Sequence, residues 1–287
     1  MTAESCLVVV DKPAGMTSHD VVARVRRVVG TRKVGHAGTL DPMATGVLVI
    51  GVNRATRLLG HLLLTDKAYD ATVRLGAATT TDDAEGEVTT SASAADVTED
   101  AVHAAVQAFE GEIWQVPSTV SAIKIGGKRA YELARSGETV ELAARPVTVR
   151  AIEAGEFRRE GDFLDLHLRV ACSSGTYIRA IARDLGAALG VGGHLTALRR
   201  TSVGAFTLAE ANTDLDHLHV IGLADAARSS FPSVDLSDDH AADVRFGRKL
   251  ALALPGPGAH ALFAPDGEFL ALYEQDGDLA RAVAVFV

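Results

Sequence analysis

Residues 33–50 read KVGHAGTLDPMATGVLVI. A histidine, two threonines, three glycines and an Asp-Pro pair lie there between a helical pattern and an apolar run. Gly35, Gly38 and Gly46 permit positive φ and let a ligand approach the backbone closely. Pro42 keeps Asp41 out of the helical region and so fixes how its carboxylate is presented. A carboxylate held this way can act as a nucleophile or an ion-pair partner. Asp-Pro and glycine are also everyday turn residues. Residue chemistry alone leaves both readings open.

Other chemistries lack their signatures. The chain contains no GxxxxGK[ST] phosphate loop, no GxGxxG after a strand, no HExxH, no CxxC and no GxSxG. Its ten histidines form no ligand set, and Cys6 and Cys172 cannot build a disulfide framework. No cofactor and no metal are expected. Any reaction should be redox-neutral and carried by side chains.

The elements that must position Asp41 follow from periodicity. CLVVVD at 6–11 reads as a buried strand. Thr17-Ser18 cap a helix with Val21, Val22, Val25, Val28 and Val29 on one face, and Gly30 ends it. Residues 33–46 read as loop, 47–52 as a strand, and 55–64 as a helix. Along 67–75, Tyr69, Ala71, Val73 and Leu75 share one strand face. Residues 76–97 read as an exposed loop. A helix from Thr98 to Phe109, a strand at 120–125 and a short helix at 128–136 follow. Strands at 147–157 and 163–172, a helix capped by Ser173-Ser174, and a strand with hairpin at 194–208 complete the large part. Beyond a boundary near 225–235 come short strands with Gly/Pro turns. The fold class expected is α+β, with a large mixed or antiparallel sheet and a small C-terminal β domain.

Length and composition agree. The chain has 287 residues, 47% hydrophobic and 23% charged, which suits one large domain or a large one plus a small one. No apolar run approaches the ~18 residues of a membrane span, and no basic stretch opens a secretory signal. A soluble cytoplasmic protein without membrane partners is expected. The net charge of −9 argues against a nucleic-acid partner, but its distribution does not. Residues 1–60, 110–150 and 169–210 carry +4, +1 and +3, which leaves −17 elsewhere. A local basic surface on an acidic protein suits an anionic polymer docked on one face.

GHAGTLDPMATGVL resembles the signature of the TruB family of tRNA pseudouridine synthases. DKPAGMTS at 11–18 and KAYDATVRLG at 67–76 resemble that family's first and next motifs. QVPSTVSAIKIGGKRAYELARSG at 115–137, running into RPVTV, resembles its RNA-clasping thumb, and GTYIRAIARDLG and LRRTSVGAF resemble its last two motifs. The match spans about 6–210 in the right order. One departure is Ser118, where the family more often has a second proline after Pro117; this puts thumb rigidity in question and touches no catalytic role.

The resemblance implies a pseudouridine synthase fold over 1–230, with the thumb at about 115–146, and a PUA-like RNA-binding domain at 231–287. It implies isomerisation of uridine 55 in the T-loop of tRNA by a monomer that needs no cofactor. Asp41 would be the catalytic carboxylate. Tyr69 would stack on the flipped uracil and take the departing proton, and Arg179 would pair with the carboxylate. Tyr177 and Leu198 would line the pocket, and His36 would fill the gap left by the extruded base. Lys12, Arg199 and Arg200 would contact phosphates. Two other classes stand beside this one. A non-catalytic RNA-binding or RNA-folding protein would not need an aimed acid. An aspartyl-nucleophile hydrolase would need Mg²⁺ ligands, and no second carboxylate lies near Asp41 in sequence.

Overall fold

The computed structural model describes residues 4–119, 124–125, 128–129 and 142–287. Its centre is a ten-stranded mixed sheet. In spatial order the main path runs Ile221–Gly222, β1 (Cys6–Lys12), β3 (Thr45–Val52), Gly193–Val203, β4 (Lys67–Leu75), Phe163–Cys172, Arg145–Glu160 and Gly111–Gln115. β2 (Val34–Ala37) pairs with β3 off this path. All neighbours are antiparallel except β3 and Gly193–Val203, which run parallel where Arg199 and Arg200 lie opposite Thr45 and Gly46.

The strand sequences report what covers each face. β1 and β3 are unbroken apolar runs because both of their faces are buried. Val8, Val10, Leu48 and Ile50 belong to one core, under α1 (Ser18–Val29) and the helix Ile178–Ala188. Leu7, Val9, Val47 and Val49 belong to a second core on the opposite face. β4 alternates strictly, with Tyr69, Ala71, Val73 and Leu75 turned into the first core.

α1 forms as its sequence dictates. The Thr17 hydroxyl accepts from the Asp20 amide, and Asp20 accepts in return from the Thr17 amide; Gly30 closes the helix at φ +69°. The helix after the GTY segment begins later than the serines suggest. It starts at Ile178 with Tyr177 as N-cap, and residues 173–177 form a turn in which the Thr176 hydroxyl donates to the Ser173 carbonyl at 3.0 Å.

Four further expectations are corrected. Residues 33–46 contain strand β2, which has no alternation of its own and exists through pairing with β3. The stretch 55–64 is a 3₁₀ turn at Asn53–Arg57 and one helical turn at Leu59–Leu62. The stretch 76–97 is not simply exposed: it holds a hairpin, Ala77–Thr79 with Val88–Ser91, whose connection buries Asp82 and Asp83. Lys128–Arg129 pair as strand with Lys124–Ile125 rather than opening a helix; the remainder of the thumb-like stretch, 120–123, 126–127 and 130–141, lies outside the described residues.

The C-terminal residues form a four-stranded sheet, Ser233–Asp235, His260–Phe263, Phe269–Asp276 and Leu279–Val285, with the helix Asp238–Arg245 against it. Phe263, Phe269, Leu272 and Phe286 pack into the second core with Leu7, Val9, Val47 and Val49. The tail therefore roofs the back of the central sheet.

Candidate active site

A cavity of about 470 Å³ opens on the α1 side of the sheet. The loop Gly38–Asp41, Tyr69, Leu198, Arg200, Tyr177 and Arg179 contribute to its wall. Six of the nine residues singled out from the sequence thus lie around one space: Asp41, Tyr69, Tyr177, Arg179, Leu198 and Arg200.

Asp41 is placed by its own loop. Its carbonyl accepts from the Ala44 amide, and the Pro42 carbonyl accepts from the Gly15 amide at 2.8 Å. The Lys12 ammonium, fully buried, donates to the carbonyls of Pro13, Met16 and Pro42 at 2.9, 2.7 and 3.3 Å. Lys12 is therefore an internal brace that ties the first motif to the Asp41 loop, and it has no surface to offer a phosphate. Burial pulls its pKa down to about 8, with the nearby Asp41 carboxylate opposing.

The Asp41 side chain is 37% exposed to the cavity, whereas its partner Arg179 is 5% exposed. Arg179 Nε lies 3.0 Å from Asp41 Oδ2, and its Nη1 lies 3.2 Å from Asp83 Oδ2 and donates to the Thr81 carbonyl at 2.8 Å. A buried guanidinium with a carboxylate on either side is stiff, and that stiffness aims the exposed partner. Asp83 is itself fixed, accepting from the Thr81 hydroxyl at 2.5 Å and the Glu85 amide at 3.0 Å. Burial pushes the Asp41 carboxyl above its ordinary value; Arg179 and Lys12 oppose this and Asp83 adds to it. In Asp83→Asn the like charge is gone, so the Asp41 carboxyl should titrate at lower pH than in the parent chain. An NMR titration of the Asp41 carboxyl in both proteins checks this, and an unmoved or raised midpoint refutes it.

Tyr69 projects from β4 between Val170 and Arg200 of the flanking strands. Burial raises the pKa of its hydroxyl, and the nearby Arg200 guanidinium opposes this. Arg200 is 1% exposed; its Nε donates to the Val47 carbonyl at 2.7 Å and its Nη2 to the Gly38 carbonyl at 3.1 Å. It buttresses the cavity floor from within. Gly46 is demanded here, since a Cβ would stand 2.1 Å from the Arg200 carbonyl oxygen at a φ of +100°. Arg199 points to the other side of the strand, where Asp11 takes it with both oxygens, at 3.0 and 2.6 Å. Its charge is balanced by this bidentate pair, while the side chain stays 39% exposed.

Tyr177 is held by Gln115, whose Oε1 accepts from the Tyr177 amide at 2.7 Å while its Nε2 donates to the Tyr177 carbonyl at 3.1 Å. Leu198, 8% exposed, gives the wall an apolar patch. His36 is not in that wall. It lies on β2 opposite Ile50, with its ring edge-on to His19 at 5.6 Å.

The chain is 57% identical to tRNA pseudouridine synthase B of Arthrobacter sp. (strain FB24), over 98% of this chain and 96% of that protein. The chain belongs to the TruB family. The enzyme from Thermobifida fusca is 57% identical over 98% of both chains, and that of Cutibacterium acnes 56% over 100% and 99%. The family model "TruB family pseudouridylate synthase (N terminal domain)" matches residues 26–178, and two models of TruB-type C-terminal regions match 179–229 and 231–287. Among solved structures, the TruB chain is similar to a Cbf5-Nop10-Gar1 complex at 28% identity, with a TM-score of 0.76 over 100% of this chain and 86% of that one. An H/ACA RNP bound to a substrate RNA containing 2′-deoxyuridine gives 27% and 0.73 over the same shares. The TruB chain is thus an isomerase that makes pseudouridine from uridine in tRNA.

Sequence reading missed several parts of this TruB site. Asp83 and Thr81 stand in a run, TTTDDAEGE, that looks like a solvated loop. Lys67 lines the cavity, donating to the Leu63 and Thr65 carbonyls at 2.8 and 2.7 Å, and burial lowers its pKa to about 8. This brace holds Leu63 and Leu64, 44% and 71% exposed, as an apolar lip. The missed signal was that KAYDATVRL puts Lys67 on the same strand face as Tyr69.

Proposed function

We propose that this chain acts on uridine 55 in the T-loop of tRNA, with Asp41 as the catalytic carboxylate, Arg179 as its aiming partner and Tyr69 as the stacking ring and proton acceptor. The supporting observation is the one exposed carboxylate oriented by a buried arginine at the rim of an aromatic-floored cavity. The reaction exchanges an N–C glycosidic bond for a C–C bond at the same ribose carbon. One proton leaves the ring carbon, one is taken up at the ring nitrogen, and the formula is unchanged. The target base must leave its stack, at a cost of a few kcal/mol. Stacking on Tyr69 offsets about 1–3 kcal/mol of that. Leu198, the Leu63–Leu64 lip and Tyr177 enclose the extruded nucleotide, and residues 231–287 add to the RNA-binding surface. The test is to incubate unmodified tRNA with the protein and map pseudouridine chemically, because the isomer has the same mass. A product at another uridine would overturn the positional assignment.

The phosphate-binding cations lie elsewhere than Lys12, Arg199 and Arg200. Arg26, Arg27, Arg32, Lys33, Arg54 and Arg57 are all exposed, and none has a carboxylate partner among the described residues. Those that make hydrogen bonds donate to carbonyls, Arg26 to Val34, Arg54 to Phe286 and Arg57 to Val285. Lys33, Arg54 and Arg57 border one hollow with Ser5 and Asn53, just past the end of β3 that is opposite to Thr45. Log affinity should fall with log salt by about 0.7–0.9 per phosphate neutralised. Arg54→Gln with Arg57→Gln should lower that slope by one to two units. Arg199→Gln should leave it unchanged. A slope altered by Arg199 and indifferent to the pair would refute this placement.

A further inference from the structure

Four residues after Arg179, on the same face of the helix Ile178–Ala188, stands Arg183. Consecutive carboxylates on the 79–88 connection meet the two arginines. Asp83 pairs with Arg179 at 3.2 Å, and Asp82 pairs with Arg183 at 3.2 Å. Asp82 is held in an unusual backbone state, φ +61°, which a non-glycine residue adopts at a cost of about 1 kcal/mol or more. Three contacts hold it, the first from its own amide to the Thr79 carbonyl at 3.4 Å. Its carboxylate takes Arg183 Nη1, and its carbonyl accepts from the Leu195 amide at 3.0 Å. The turn at Asp82 sets the direction in which the next residue, Asp83, leaves the chain. Arg183 also donates through Nη2 to the Val116 carbonyl at 2.8 Å, one residue beyond the Gln115 that clamps Tyr177. Its remaining contact, Nε to Asp184 at 2.8 Å, holds the guanidinium plane.

We infer that Arg183 is a positioning residue for pseudouridine formation: by holding the left-handed turn at Asp82 and the end of the strand Gly111–Gln115, it keeps Asp83 on Arg179 and so keeps Arg179 aimed at Asp41. The inference rests on the assignment of Asp41 and Arg179 to the reaction. Arg183 does not touch the cavity wall, so it acts through its neighbours, by Asp82 on the Asp83–Arg179 pair and by Val116 on the strand end that carries Gln115.

The experiment is a double-mutant cycle on the full chain with unmodified tRNA, using Arg183→Met, Asp83→Asn and the double variant. Met keeps the length of the half-buried aliphatic stem. Arg183→Met should lower kcat about tenfold and leave KM within threefold. In the Asp83→Asn background the same change should cost little more, because the contact it supports is already lost. Asp82→Asn, a milder change, should follow Arg183→Met in direction. Losses that multiply in the double variant, or a loss confined to KM, would overturn the inference. A crystal structure of Arg183→Met gives a readout independent of activity: Asp83 should have left Arg179, and an unchanged pair would overturn the proposal. Wild-type protein that makes no pseudouridine would count against the assigned chemistry instead, and the crystal structure would still decide the role of Arg183.

Discussion

Asp41→Asn should fold, bind unmodified tRNA with near-normal affinity and turn it over at least ~10⁴-fold more slowly. The amide has the size of the carboxylate and can still accept from Arg179 Nε, so the loop tied by Lys12 and the Ala44 amide should persist. What disappears is the negative charge, and with it both the nucleophile and the ion-pair partner. Burial and the neighbouring Asp83 already work against that charge, and Arg179 and Lys12 work for it. An uncharged residue leaves the buried Arg179 beside the cavity without the charge it aims. Single-turnover assays with chemical mapping measure the loss. A residual rate above one hundredth of wild type would remove Asp41 from its role.

The second largest effect is expected from Tyr69→Phe, with turnover falling about 10²–10⁴-fold while binding survives. The ring stays on β4 with its stacking face intact. Arg200 keeps the Val47 and Gly38 carbonyls, so the cost in stability should be about 1 kcal/mol or less. Tyr69→Leu should lose turnover and in addition weaken binding, because the stacking face is gone. Comparing kcat and Kd for the two variants separates the hydroxyl from the ring. Equal losses of binding in both would assign Tyr69 to packing alone.

These two residues were legible in the sequence for different reasons. Asp41 stands out by local chemistry, a carboxylate before proline among glycines, but an ordinary turn reads the same way, and its role too came from resemblance. Tyr69 was legible as an inward residue by alternation along β4, and its role came from resemblance. β1 and β3 were equally plain, since a run with no polar face must be covered twice. Asp83 was hidden because its burial is produced by Leu195 and Arg179, both more than a hundred residues or nearly so along the chain. The same long-range geometry misled the reading of cations. Nothing in DKPAGMTS says that three carbonyls will converge on Lys12, or that Val47 and Gly38 will take up Arg200. β2 was missed because VGHA carries no periodicity and becomes a strand only by pairing.

Leu7 and Val9 share β1 with Val8 and Val10, so one strand serves two cores. The tail that roofs the rear core is thereby coupled in free energy to the sheet that carries the Asp41 loop. Whatever binds residues 231–287 in the folded chain stabilises the cavity on the far side of the sheet by mass action, with no movement required of either. Conversely, loosening Phe263, Phe269 or Phe286 lowers the population of chains able to hold Asp41 in place. The tail and the reaction are linked as two ligands of a single folding equilibrium.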